Sequence, residues 1–161
     1  MTESHDRYEA VYAWPVYWDG PREGVADFEG RPHRFVANWN SAEDDYADTF
    51  SLYPIDDATL RIVVEQWAIW RRWVAARLAG ATSDDTHPAL PEDRQRRTAL
   101  EAEWTKRVAG LRALPRHATA EFRPVRDEFL DLRMAATLEV SWRLVEGWVG
   151  VAPPGLEPGL S

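Results

Sequence analysis

Asp19, Arg22 and His33 are the polar residues in this chain whose types and spacing best suit acid–base or anion chemistry. They stand beside two turn signals, Asp19-Gly20-Pro21-Arg22 and Glu29-Gly30-Arg31-Pro32. A carboxylate and a guanidinium at a cleft, with an imidazole on a neighbouring strand, could transfer a proton if they lay within hydrogen-bond reach. The competing arrangement is a turn in which Asp19 caps local amides and Arg22 is solvated.

Other chemistries lack their motifs. His5, His33, His87 and His117 have no i,i+3 or i,i+4 partner among themselves, so no helical metal site is expected. The acidic segment at 43–48 has neither the central glycine nor the spaced ligands of a calcium loop. No G-x-S-x-G elbow, phosphate-binding loop or dinucleotide fingerprint occurs. The absence of cysteine excludes disulfides, zinc thiolates and thiol nucleophiles. No catalytic residue, metal or cofactor is therefore assigned.

A second candidate surface is built from aromatic residues. Nine tryptophans occur in 161 residues, and Trp67, Trp70 and Trp73 fall within one short stretch. Stepping about 100° per residue along a helix puts Leu60, Val63, Val64, Trp67, Trp70, Val74 and Leu78 on one broad face. Ile62, Ile69 and Trp73 fall on the opposite side. A helix apolar on two sides is either sandwiched in the fold or shows one stripe to a partner. Arg71 lands in the middle of the main apolar face, where a lone guanidinium is costly. Three arrangements would satisfy it. Its stem could snorkel at a rim, it could pair with Asp19 or Asp27, or it could meet an anionic ligand flanked by Trp67 and Trp70.

Charge narrows the partners. The net charge of −8 disfavours nucleic acid, whose phosphates would be repelled. Glu43, Asp44, Asp45, Asp48, Asp56 and Asp57 form an acidic stretch without a basic residue, whereas 91–117 leans basic. These are either two solvated faces or an acidic surface for a basic protein. Lys106 is the only lysine, an arginine bias that fits a GC-rich genome. No apolar run approaches about 18 residues, so no membrane span is expected. With no apolar leader near Met1, a cytoplasmic location is expected.

Several elements must position these residues. Ala10–Trp18 reads as a strand, with Pro15 demanding an edge or a bulge. Residues 24–28 and 33–39 read as a hairpin, with a loop over 19–24 before it. Thr49–Tyr53 reads as a short strand. Asp56 suits an N-cap, and Ile55 with Leu60 suits a hydrophobic staple. The first helix should run from about Asp57 to Ala79 and stop at Gly80. The second should start at Pro91 and reach Leu114, with i,i+4 pairs Glu92–Arg96, Asp93–Arg97 and Glu103–Arg107. Residues 119–123 read as a strand, 128–136 are ambiguous, and 137–144 alternate as a strand. The fold class is α+β: an antiparallel sheet of five to six strands with two helices on one face. One domain should cover 8–148, followed by a disordered Pro/Gly-rich tail over 149–161. Within that tail, Pro-Gly-Leu-Glu-Pro resembles the product of a reading frame that runs into a transfer-RNA gene.

The run Asp19-Gly20-Pro21-Arg22-Glu23-Gly24-Val25-Ala26-Asp27-Phe28-Glu29-Gly30-Arg31-Pro32-His33, with Trp67-Ala68-Ile69-Trp70-Arg71-Arg72-Trp73, resembles a signature of small bacterial proteins with no established activity. The resemblance covers roughly 10–145 and implies no catalytic residue.

Two functions remain in contention. One is a protein-binding module, of immunity or regulatory type, acting through the acidic loop and the Trp/Arg-rich helix with its second stripe of Ile62, Ile69 and Trp73. The other is a small enzyme or anion-binding protein whose cleft, between the sheet and the first helix, holds Asp19, Arg22, His33, Trp70 and Arg71.

Overall fold

A computed structural model describes residues 7–111, 114–125 and 137–145. Six antiparallel strands follow in chain order: β1 (Glu9–Tyr17), β2 (Pro21–Phe28), β3 (Arg31–Asn40), β4 (Asp45–Pro54), β5 (Arg116–Pro124) and β6 (Leu138–Leu144). Two helices, α1 (Asp57–Leu78) and α2 (Arg94–Ala109), lie between β4 and β5. The α+β class and the antiparallel sheet agree with the sequence reading. The sheet is not open, however. β6 returns to β1 through Glu9–Val140 and Ala10–Glu139 and closes a barrel. The undecided 128–136 segment, the 148/149 boundary and the tail lie outside the described residues.

Alternation decides what fills the barrel. Phe35, Ala37, Phe50, Leu52, Ala118, Leu138 and Val140 point inward and are buried. Phe35, Phe50, Phe122 and Trp142 form a four-ring cluster whose centroids are all 5.5 to 5.9 Å apart. Tilted and edge-on pairs of this kind add about 0.5–1.5 kcal/mol each beyond area burial.

Local chemistry sets the corners. The β2–β3 turn has two residues, Glu29 and Gly30, both at positive φ (53° and 77°), as a tight hairpin matching strand twist requires. The Glu9 carboxylate accepts both of their amide protons, at 3.1 and 2.7 Å. Asp56 caps α1 by accepting from the Thr59 amide at 2.8 Å, and Gly80, at φ 72°, follows its end.

Some boundaries differ from expectation. Pro21–Gly24 belongs to β2, so the preceding loop is short. β4 begins at Asp45, because Asp45 and Tyr46 pair with Asn40 and Trp39 of β3. Pro91–Asp93 forms a 3-10 turn ahead of α2, and α2 stops before Gly110 rather than at Leu114, which is exposed. Of the anticipated i,i+4 pairs only Glu103–Arg107 forms, at 3.5 Å. Asp93 and Arg96 instead bridge to α1, through Arg72 and Glu65.

Pro15 has a specific consequence. Beyond Ala10, β1 has no pairing with β6, and its register with β2 shifts three times between Val11 and Tyr17. The proline therefore sits in a bulged half-strand, where its missing N–H leaves no gap in a ladder. This bulged half of β1 faces α1.

Candidate ligand-binding cleft

The cleft arises where the bulged β1–β2 hairpin meets the helices. Gly24 permits the close approach of the two strands. A Cβ there would collide with the Ala13 carbonyl oxygen and stand 2.7 Å from Phe35 Cζ. Val63 of α1 packs on Ala13, Val25 and Ile55, and Trp104 of α2 joins that cluster. Trp67 touches the barrel core through Trp14, centroids 5.4 Å apart. The helices and hairpin leave a cavity of about 600 Å³ between them. That size lies within the usual range for small-molecule sites.

Its walls are mainly aromatic. Trp14 and Tyr17 come from β1, Trp67 and Trp70 from α1, Trp104 from α2, and His87 and Pro88 from the connection between the helices. Trp70 stacks on Trp73 at 5.3 Å and 14°, and His87 meets both rings edge-on. The polar lining is sparse. Glu23 is bound by Arg34 at 2.7 Å, and Arg97 by Glu101 at 2.6 Å. Gln66 and the indole N–H groups of Trp67, Trp70 and Trp104 form no hydrogen bond among the described residues. These donors stand free on a half-buried wall.

The residues singled out from sequence are placed apart. Arg22 donates to the Trp18 and Asp19 carbonyls, at 2.7 and 3.2 Å, and covers the Tyr46 ring. Asp19 lies exposed in that turn at φ 50°. His33 pairs with Ala26, four residues along β2 from Arg22, about 13 Å at a strand rise of about 3.3 Å. Its Nδ1–H donates to the Arg31 carbonyl at 2.8 Å. Asp19 and Arg22 therefore share a turn, His33 sits at the far end of β2, and none of them lines the cleft. Only Trp70 of the proposed five does.

The orientation of α1 corrects the rest. Its buried residues are Thr59, Ile62, Val63, Ile69, Trp73 and Val74, whereas Val64 and Leu78 are 46% and 67% exposed. The buried arc is turned about a quarter turn from the face read off the sequence. Two layers pull on the helix. The sheet takes Val63, and Ala89 with Leu100 takes Ile62 and Ile69. Trp73, 7% exposed, donates to Thr86 Oγ1 at 2.9 Å. It is core, not a partner-facing stripe. The same turn moves Arg71 into solvent, with no ion pair among the described residues. The anion site built on Arg71 is therefore absent, and Asp27 instead accepts from the Tyr12 hydroxyl at 3.0 Å.

Sequence reasoning missed a polar ladder across β3, β4 and β5. Asn38 donates to Thr49 Oγ1 at 3.0 Å, Ser51 donates to Asn38 Oδ1 at 2.6 Å, and His117 Nδ1 lies 3.3 Å from Ser51 Oγ. Burial holds the His117 imidazole below its usual pKa. This is no nucleophile and base: the Ser51 proton is committed to Asn38, not to the ring. Strand alternation puts Asn38 on the face away from Phe35, but finding Ser51 and His117 beside it requires the register. No group of three or more potential metal ligands is present among the described residues, and no helix of the described residues is long and apolar enough to cross a membrane.

No family model, no curated protein and no solved structure matches the chain.

Proposed function

We propose that this protein binds a small organic molecule in the aromatic cleft between the β1–β2 hairpin and the two helices, which together roof that side of the sheet. The observation that carries this reading is a cavity of about 600 Å³ walled by four tryptophans and a tyrosine. Apolar walls with a few unpaired donors are the usual composition of a ligand pocket. Among the described residues no nucleophile–base pair lines the cleft, and the reading is of binding.

Titration with the neutral dye phenylnaphthylamine tests it. The expected result is a saturable fluorescence rise at one site per chain. Gln66→Trp, which fills the cleft from a half-buried position, should abolish that rise while the chain stays folded by circular dichroism. A non-saturable response, or one unchanged in Gln66→Trp, would overturn the reading.

A second reading keeps one favourable observation. Glu43, Asp44, Asp45 and Asp48 remain exposed, and none forms an ion pair among the described residues. This surface suits a basic protein partner. The supporting result would be binding of a basic protein such as cytochrome c that falls with salt and disappears when the four are changed to Asn or Gln. Binding that survives those changes would exclude the loop.

A further inference from the structure

We infer that the ligand of the cleft is an organic cation. This rests on the cleft reading above and assigns its ligand class. The aromatic lining consists of ring systems whose faces carry negative electrostatic potential, and a cation held against Trp or Tyr faces is attracted by it. Trp14, Tyr17, Trp67, Trp70 and Trp104 contribute to these walls from three different elements.

The charged groups at the cleft cancel in pairs. Among the described residues the charged lining comprises Glu23, Arg97 and Glu101, and the exposed His87 also lines the cleft. The one lining guanidinium, Arg97, is engaged by Glu101 at 2.6 Å. Arg34 offsets Glu23 from outside the wall, at 2.7 Å. Both sides of these pairs keep spare groups: lone pairs on Glu23, and N–H donors on Arg34, whose Nε has no partner. The ring faces and the charge of the whole chain therefore decide the sign. The net charge of −8 adds a field that concentrates cations around the molecule. Arg71, the residue that would have recruited an anion, faces solvent.

Two probes of equal shape and opposite charge separate these effects. Tetraphenylphosphonium and tetraphenylborate present the same four rings, so hydrophobic contact is matched and only the sign differs. Binding of each to the full chain is measured by calorimetry at physiological ionic strength, with phenylnaphthylamine as the neutral control. Tetraphenylphosphonium should bind more tightly than tetraphenylborate by about tenfold, a difference within the range of cation–π contacts. Glu101→Gln, which leaves Arg97 unpaired at the cleft, should reduce or reverse that preference, read as the ratio of the two affinities in the same variant. Equal affinities, or a preference for the borate, would overturn the cationic assignment and leave the cleft intact as an apolar site. Binding of the neutral dye alone would overturn it as well. If all three probes fail to bind, the cleft reading falls with it.

Discussion

Replacing Trp73 with alanine separates a core tryptophan from one displayed to a partner. The ring is 7% exposed, stacks on Trp70 and is met edge-on by His87. Its Nε1 donates to Thr86 at 2.9 Å, tying α1 to the connection that leads to α2. Truncating a buried tryptophan costs about 3–5 kcal/mol, through lost transfer energy and the cavity that remains. The Thr86 hydroxyl also loses one partner, but Thr86 is only half-buried and water can replace the indole there. A total of about 4 kcal/mol follows, which for a chain of this size lowers the thermal midpoint by about 8–16 °C. Urea unfolding followed by far-ultraviolet circular dichroism gives the value directly, as a lower midpoint at unchanged slope. A loss below about 1 kcal/mol would refute the packing described here and return Trp73 to the surface.

Three further outcomes follow from the same structure. Arg71→Ala should change stability by no more than about 0.5 kcal/mol in the same urea assay, because the side chain is exposed and unpaired; a loss of several kcal/mol would mean it is buried after all. Gly24→Ala should cost at least about 2 kcal/mol, since the new methyl group meets the Ala13 carbonyl and the Phe35 ring; an unchanged midpoint would show that the hairpin is looser than described. Burial lowers the His117 pKa in the folded state, so the folded protein takes up that proton less readily than the unfolded chain. The stability it contributes is complete above the unfolded value of about 6.5 and is lost as pH falls through the folded value. His117→Gln should therefore weaken the fall in urea midpoint between about pH 8 and about pH 5.5, and an equally steep fall would remove His117 as its cause.

Local chemistry made much of the fold legible. Asp56, Ile55 and Gly80 announced both ends of α1, Glu29-Gly30-Arg31-Pro32 announced a hairpin though Arg31 and Pro32 belong to β3, and the alternation through Leu138, Val140 and Trp142 announced β6. These signals act over a few residues, and each has one physical solution. Barrel closure was not legible, because the β1–β6 seam joins Glu9 and Ala10 to residues near the far end of the chain. Nothing in either strand states its partner. The orientation of α1 failed for a related reason. Apolar residues surround the helix, so periodicity offered two faces, and the choice was made by Ala89 and Leu100, which are remote in sequence. The error on Arg71 followed from that choice. The cleft itself was half legible: tryptophan density marked Trp67 and Trp70, but Tyr17, Glu23 and Trp104 join them only through the tertiary packing of β1, β2 and α2 against α1.

The central claim, that a ligand occupies the cleft between the hairpin and the helices, can be read residue by residue. The nine tryptophans accept fluorotryptophan, and fluorine NMR then gives a resonance for each, assignable by single Trp→Phe substitutions. Saturating the protein with phenylnaphthylamine should shift the signals of Trp67, Trp70 and Trp104 and leave those of Trp39 and Trp142 in place. Unmoved cleft tryptophans, or shifts confined to the exposed Trp18, would contradict it.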